Sequence, residues 1–463
     1  MSILVIPYSE LRIGAKRHRE SVLATLSEFV RHPSIAFVDK RGVEACAVEV
    51  ERKLGKLGFR VSRFCEKGSP LILAERDVGA RRTLMFYHHY DVQPPGQLDL
   101  WKSSPWRLEM REDRVFGRGA SDDKGPLAAS LESVEMLEEL LGELPINVKF
   151  IVDGEEEAGP MNLPRFISKN LGFMKADGCI WEAASAMPNS PSEVICGMKG
   201  DVYFELRAGG APRFPLTDVH SSEAGVAPSA AWRLTWALNS LKNEKERILI
   251  DGFLKEIRKS DEDDLAAVRG HESELGSNLK KKYGVENLVL GREGFELTSA
   301  LYLEPTISIC GLTSGHQGPE DMTIVPSSAS AKIDIRIVPD LTVEKTERLL
   351  RAHLKKRGFD DIRVVSKGGY DPGKTPIGHP FIRLVHEASS EVVNPAKANI
   401  IPMASASGPV SYFTPHMPIC MTFSYDEAVG TNSHAPNENA PLESIECEIA
   451  FTALVAQRLA EMK

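Results

Sequence analysis

Four apolar runs that read as β-strands lead into side chains of the kind that bind metals. Thr83-Leu-Met-Phe-Tyr runs into His89-Tyr90-Asp91, and Val148-Lys-Phe-Ile-Val into Glu156-Glu157. Gly178-Cys-Ile-Trp closes on Glu182, and Ile419-Cys-Met-Thr-Phe precedes His434. A fifth segment, Asp122-Asp123, lies in a glycine-flanked loop before a helix. In an open α/β sheet, ligands bind beyond the carboxyl ends of the strands. Residues far apart in the chain would then converge on one site, and their types suit zinc.

The rest of the pattern agrees with such a sheet. Helical apolar spacing covers 14–31 and 41–57, extended runs follow at 59–64, 70–75 and 83–88, and a helix covers 126–141 with Pro126 in its first turn. A strand at 147–152, a helix near 163–170 and a strand at 178–182 continue the alternation. This order predicts an α/β fold with helices on both faces of the sheet. After Pro188-Asn-Ser-Pro-Ser the rhythm changes. A strand at 201–208, a helix at 228–242, a charged helical insertion at 243–283 that reads as a solvated excursion more than a dimer element, strands at 306–312 and 328–338, a helix at 343–357 and a strand at 361–367 follow. Without the insertion this is βαββαβ, the ferredoxin-like order. The chain therefore reads as a catalytic domain in two pieces, 1–191 and 373–463, with a lid or dimerisation domain inserted at 192–372. Its 463 residues are more than one ordinary core accommodates.

Composition narrows the function classes. Hydrophobic residues make up 42% and charged residues 26%, the balance of a globular protein, and the net charge of −9 argues against a nucleic-acid partner. No apolar stretch approaches the ~20 residues of a membrane span, and the opening Met1-Ser-Ile-Leu-Val-Ile-Pro is too short for a signal peptide. Seven scattered cysteines with no CxxC read as free thiols in a reducing cytoplasm. No GxGxxG or Walker loop follows a strand, which excludes the common nucleotide-binding α/β folds.

Each motif has its own chemistry. His89 and Asp91 are two apart on an extended segment and face one side, so Asp91 can hold one ring nitrogen while His89 binds metal through the other. His88 then points away and reads as structural. Gly117-Arg-Gly-Ala-Ser-Asp-Asp-Lys-Gly places two acids side by side, an arrangement that is costly without a cation, and one of them could bridge two metals. Capping the following helix accounts for one Asp only. Asp153-Gly-Glu-Glu-Glu-Ala-Gly has four acids in five residues, suited to one ligand and a neighbouring general base.

In this order and spacing the motifs resemble the co-catalytic zinc exopeptidases, which include aminoacylase, carnosinase-type dipeptidases, glutamate carboxypeptidase and succinyl-diaminopimelate desuccinylase. The similarity runs from Leu26-Ser-Glu-Phe-Val-Arg-His-Pro-Ser-Ile to the C-terminal helix at 442–461. The resemblance implies two Zn2+ per subunit, with Mn2+ or Co2+ as substitutes. It assigns His89, Asp122 and Glu182 to one ion and Asp122, Glu157 and His434 to the other, with Asp91 orienting His89. Three carboxylates and a bridging hydroxide would balance the two ions, and the shared water would be acidified. Glu156 would be the general base, and the Asp122–Asp123 peptide would be cis. The resemblance further implies a homodimer in which His220, in Asp218-Val-His220-Ser-Ser, reaches the partner's site and stabilises the oxyanion. Thr323, Arg336 and Ser407 would bind substrate, Arg336 taking a carboxylate.

The expected activity is hydrolysis of a peptide amide beside a free carboxylate, of the dipeptidase or carboxypeptidase type. The long inserted domain is similar to that of the dipeptidases. One departure favours an N-blocked or longer substrate. The dipeptidase loop Arg-Glu-Gly-Gly-Ser is replaced by Met403-Ala-Ser-Ala-Ser407-Gly-Pro, which keeps Ser407 and lacks the Arg and Glu. An N-acyl-amino-acid deacylase is the alternative within the same chemistry. A non-catalytic metal-binding homologue is the alternative outside it, and the presence of Glu156 beside all five ligand candidates speaks against it.

Overall fold

The computed structural model describes residues 5–424 and 430–462. The chain divides into two compact units, Met1–Gly197 with Thr375–Pro402 and Tyr412–Lys463, and Met198–Lys374 with Met403–Ser411.

The first unit is built on an eight-stranded mixed sheet. Its order is Arg60–Phe64, Leu71–Arg76, Asn147–Asp153, Thr83–His89, Gly178–Ala184, Ile419–Ser424, Ser192–Ile195 and Ala398–Ile401. The four central strands, from Asn147–Asp153 to Ile419–Ser424, run parallel. They are nearly continuous apolar runs because both faces are covered. Phe86, Phe150 and Ile180 face a core shared with the helices Lys124–Leu141 and Leu442–Glu461. On the opposite face Tyr87 stacks on Trp181 at 4.0 Å and Phe413 meets both edge-on. There Lys149 donates to the carbonyls of Phe173 and Lys175.

Three features differ from the sequence expectation. The span 14–31 is two helices, Tyr8–Arg17 and Arg19–Val30, joined at His18. The His18 ring is drawn to Glu132 and Glu139 on the helix Lys124–Leu141, and its backbone leaves the helical range at ψ 1°. The boundary expected at 192 falls after Gly197, because the apolar run Ser192–Ile195 is inserted between Ile419–Ser424 and Ala398–Ile401. The second boundary, expected at 372, falls after Lys374, and Met403–Ser411 returns to the second unit.

The second unit has a four-stranded antiparallel sheet in the order Thr306–Ser314, Ser328–Ile337, Gly200–Gly209, Arg363–Tyr370. Numbered along the chain that order is 2-3-1-4, the ferredoxin-like arrangement. Alternate residues Val202, Phe204, Leu206 and Ile333, Ile335, Ile337 are buried with Leu234 of the helix Ala230–Asn239 and Leu350 of the helix Val343–Lys356. The charged insertion is more than a solvated excursion. It carries the helices Glu262–Gly270 and Glu272–Tyr283, and Val268 of the first is buried. The next helix, Gly294–Tyr302, buries Leu297 and Tyr302, and Lys199 donates to the Ala300 and Glu304 carbonyls at its end. Among the described residues no helix is long and apolar enough to cross a membrane. Among the described residues no disulfide joins the seven cysteines, five of which are buried.

Candidate metal centre

The parallel strands place their carboxyl ends side by side, and the site grows from those ends. Thr83–His89 pairs with Asn147–Asp153 in a register that sets His89 opposite Asp153. The chain then turns at Gly154, where there is no room for a side chain. A Cβ there would lie 2.2 Å from the Tyr90 hydroxyl and 2.9 Å from the Pro70 carbonyl oxygen. This close approach delivers Glu156 and Glu157 next to His89.

Asp91 joins the two segments. Its carboxylate oxygens accept the backbone N–H groups of Glu156 and Glu157, each at 3.1 Å. His89 Nδ1 lies 3.0 Å from the Asp91 backbone oxygen and 3.5 Å from its carboxylate. Asp91 therefore orients His89 mainly through its carbonyl, which differs from the carboxylate contact expected from sequence. The carboxylate is taken up by the Glu pair. With Nδ1 donating, Nε2 of His89 presents its lone pair to the site.

Asp122 stands between two sets of ligand-type atoms. Its Oδ1 is 3.0 Å from His89 Nε2 and its Oδ2 is 2.9 Å from His434 Nε2. His434 Nε2 is also 3.1 Å from Glu157 Oε1. Donor atoms of His89, Glu156 and Glu182 lie within 4.8 Å of one another, as do those of Asp122, Glu157 and His434. The Asp122–Asp123 peptide is cis. Asp123 points away and accepts from the His89 backbone N–H at 3.0 Å and faces His88 Nδ1 at 2.8 Å. His88 Nε2 is 2.9 Å from the Ser130 hydroxyl, which ties this buried imidazole into the helix behind the site.

Two of these residues have left-handed backbones. Glu182 has φ 59° and His434 has φ 63°. A non-glycine residue pays a conformational cost there, and such outliers gather at functional sites. At Glu182 the outlier coincides with a register shift against Ile419–Ser424, which turns the carboxylate out of the strand's alternation.

The electrostatics are those of a site short of positive charge. Burial, reinforced by the Asp91, Glu157 and Asp122 carboxylates against the pull of His89, pushes Glu156 up to about 8. Burial and the nearby Glu156 push Glu182 well above the carboxylate range. Hydrogen bonds to Asp122 and Glu157 raise His434 to about 10. Four carboxylates thus face two imidazoles, and the imidazole protons are the only cations these side chains supply. An oxygen and nitrogen donor set with this charge deficit fits two divalent ions of the zinc, manganese or cobalt kind.

Two contributors carry no signal of their own in the sequence. Gln93 donates to the Glu157 carbonyl and carboxylate at 3.2 and 3.0 Å. It follows Asp91 at the alternation of an extended segment, which is its sole hint. Glu438 lies in the His434 loop and is fully buried; a lone acid in a polar loop looks solvated.

The residues expected to bind substrate lie in the second unit and fall into two pairs. His220 is exposed, its Nδ1 accepts the Ser222 N–H at 3.1 Å, and its Nε2 is 3.4 Å from the Thr323 hydroxyl. The short pairing of Val219–His220 with Ile324–Val325 holds them together. Arg336 donates through Nε to Asp334 at 2.9 Å and through Nη1 to the Ser407 hydroxyl at 2.8 Å. Its Nη2 has no partner among the described residues.

The profile of Peptidase family M20/M25/M40 matches residues 85–458. A beta-Ala-His dipeptidase of Rattus norvegicus is 28% identical over 312 residues, 65% of this chain and 62% of the relative. The chain thus aligns with 62% and 59% of the lengths of the rat and human dipeptidases. A cysteinylglycine-S-conjugate dipeptidase of Corynebacterium striatum is 29% identical over 381 residues, 79% of each chain. Among solved structures, the M20 family metallo-carboxypeptidase Sso-CP2 from Sulfolobus solfataricus superposes with a TM-score of 0.86 at 31% identity, covering 95% of this chain and 99% of that one.

Proposed function

The chain belongs to peptidase family M20/M25/M40, and from that premise we propose that it is a dinuclear-metal hydrolase of small peptides, cleaving an amide beside a free carboxylate. The observation that carries this reading is two adjoining groups of ligand-type atoms, His89–Glu156–Glu182 and Asp122–Glu157–His434, with Asp122 Oδ1 3.0 Å from His89 Nε2 so that Asp122 can serve both. His89, Asp122 and Glu182 would hold one ion, and Asp122, Glu157 and His434 the other. When bound, two such ions supply an acidified water and a Lewis acid for the scissile carbonyl.

The protein's own groups do the rest. Glu156 takes a proton from the attacking water on a carboxylate oxygen. It returns that proton to the amide nitrogen as the C–N bond breaks. Asp91 keeps His89 and the Glu pair in register. Arg336, with Nη2 still open, would take the substrate carboxylate while Ser407 and Asp334 fix the guanidinium plane.

A homodimer with His220 acting in the partner's site belongs to the same proposal. It is supported by the exposure of His220 and by the open edge strand Thr306–Ser314. Ile309 and Leu312 of that strand are 55% and 58% exposed, an edge that another chain can extend.

The names of the relatives favour dipeptides as substrates. Ala404, where the dipeptidase loop has an acid, favours an N-blocked substrate, and this one residue keeps deacylation as the second reading. Turnover of metal-reconstituted protein on free dipeptides, their N-acetyl forms and their C-terminal amides decides among these. Release from free dipeptides is the expected result. Release from N-acetyl forms alone would make it a deacylase or carboxypeptidase. Equal turnover of the C-terminal amides would remove the carboxylate requirement and the role given to Arg336.

A further inference from the structure

Glu438 is buried, four residues beyond His434, and is not among the six ligand-type residues. Its Oε1 accepts the backbone N–H groups of Ser121 and Asp122 and the Ser121 hydroxyl, each at 3.1 Å. Its Oε2 accepts the Gly119 N–H at 3.0 Å and Arg118 Nη1 at 2.6 Å. A carboxylate offers about four lone-pair positions, so both oxygens are saturated and none remains for an ion. The backbone adds to the join. Gly117 N donates to the Glu438 carbonyl at 3.0 Å, and the next residues pair as strands, Asn439 with Phe116 and Ala440 with Val115. Arg118 is anchored in turn, donating to the Pro94 carbonyl at 3.0 Å.

The segments tied in this way each carry a ligand. Residues 117–122 end in Asp122, and 430–438 contains His434. Three amides of the first segment point at one spot, a concavity that takes an anion, and the anion is a side chain of the second. His89 and Glu182 are held by different means, on two paired strands of the sheet, and Asp91 takes the His89 ring and the amides of Glu156 and Glu157.

We propose that Glu438 is a positioning residue that sets the distance between Asp122 and His434, and thereby the affinity of one of the two ion sites. The proposal rests on the dinuclear reading above. Replacing one carboxylate oxygen by an amide would set N–H donors against N–H donors, either at Arg118 and Gly119 or at Ser121 and Asp122. The 430–438 loop would shift and carry His434 with it, so the Asp122–Glu157–His434 set would lose a ligand while the His89–Asp122–Glu182 set kept all three of its own.

The test is a competitive Zn2+ titration of the metal-stripped full chain, with melting curves of the metal-free protein, for wild type and Glu438→Gln. Expected are two ions in wild type and, in the variant, a first ion bound within about threefold of wild type and a second weakened tenfold or more. The metal-free melting midpoint should fall, because the buried Arg118–Glu438 ion pair is lost, while the first ion is still bound as in wild type, and kcat should fall more than KM rises. Two ions bound with wild-type affinity would overturn the proposal. Equal weakening of both ions would also overturn it, since Glu438 would then serve the fold at large. If Glu438→Gln does not fold, Arg118→Lys, which keeps the charge and loses the fork, should weaken the second ion alone; unaltered binding of both would overturn the proposal. A wild-type protein that takes fewer than two ions would overturn the dinuclear reading, and the positioning role with it.

Discussion

Glu156 sits within reach of the His89 set and yet is proposed to move protons, so its neighbours must keep it off the metal while holding it close. Asp91 holds the segment in place, accepting the backbone N–H groups of Glu156 and Glu157 on its two oxygens. A second residue pair, away from the site, shows the same use of charge. His18 Nδ1 is 2.8 Å from Glu132 Oε1, and that hydrogen bond raises the His18 pKa. Burial pushes Glu132 up, but the His18 hydrogen bond and the Lys53 charge outweigh it and hold it below its ordinary value. The raised His18 stabilises the fold fully below its ordinary 6.5, and that contribution is lost as pH rises through the folded value. The lowered Glu132 contributes above its ordinary 4.5 and is lost as pH falls through its folded value. The pair should thus stabilise most between these limits. Glu132→Gln should lower the His18 pKa seen by NMR titration and flatten the stability change as pH rises above 6.5; an unmoved His18 would mean the pairing does not exist in solution. At this scale the convergence of His89, Asp122, Glu157, Glu182 and His434 was legible, because each residue type stands at a strand end or in a marked loop. The Asp91 carbonyl contact was not, because residue type does not encode which backbone oxygen faces a ring. Glu438 was not, because a loop acid looks the same whether solvated or saturated.

The elements that carry these residues depend on close approaches in their connections. Gly154 lets the chain turn against Tyr90 directly after Asn147–Asp153. Gly154→Ala should destabilise the metal-free protein by about 1–3 kcal/mol through overpacking and weaken metal binding by displacing the Glu pair. Calorimetry and a zinc titration would read both, and wild-type values in each would show that the turn has slack. Lys124 follows the acidic pair and is fully buried. Its ammonium donates at 2.9 Å to the Phe29 and His32 carbonyls at the end of the helix Arg19–Val30. Lys124→Met removes one donor from each carbonyl, leaving the His32 N–H on Phe29 at 3.3 Å and the Ser34 N–H on His32 at 2.8 Å, and should cost about 1–3 kcal/mol in denaturant unfolding; a neutral result would mean that these donors or water replace the ammonium. Strands were legible as elements because doubly covered strands are continuous apolar runs. The break at His18 was not, since the apolar spacing passes through it and the cause is a partner more than a hundred residues away. The helical character of the charged insertion was legible, and the helices Glu262–Gly270 and Glu272–Tyr283 are there. Its packing was not, because its surface charge gives no sign that Val268 is buried.

At the scale of the molecule, two units with separate cores divide the chemistry. The first contains the ion-binding side chains, and the second contains His220, Thr323, Arg336 and Ser407. The ferredoxin-like order of the second was legible once the insertion was set aside. Its edges were less so, because Ser192–Ile195 reads as well for one sheet as for the other and because Met403–Ser411 rejoins the second unit after an excursion. If His220 serves the partner's site, His220→Ala and Glu156→Gln should each be nearly inactive, and mixed heterodimers should regain activity at the one site left intact. No recovery on mixing would remove the shared site. The central claim is that Glu156 carries the proton and does not hold the metal. Glu156→Gln should be assayed for bound zinc and for kcat on the same sample. The account predicts two ions retained and kcat lowered by ~10²–10⁴-fold, the range of general acid–base catalysis. Loss of an ion would make Glu156 a ligand, and undiminished turnover would take it out of the reaction.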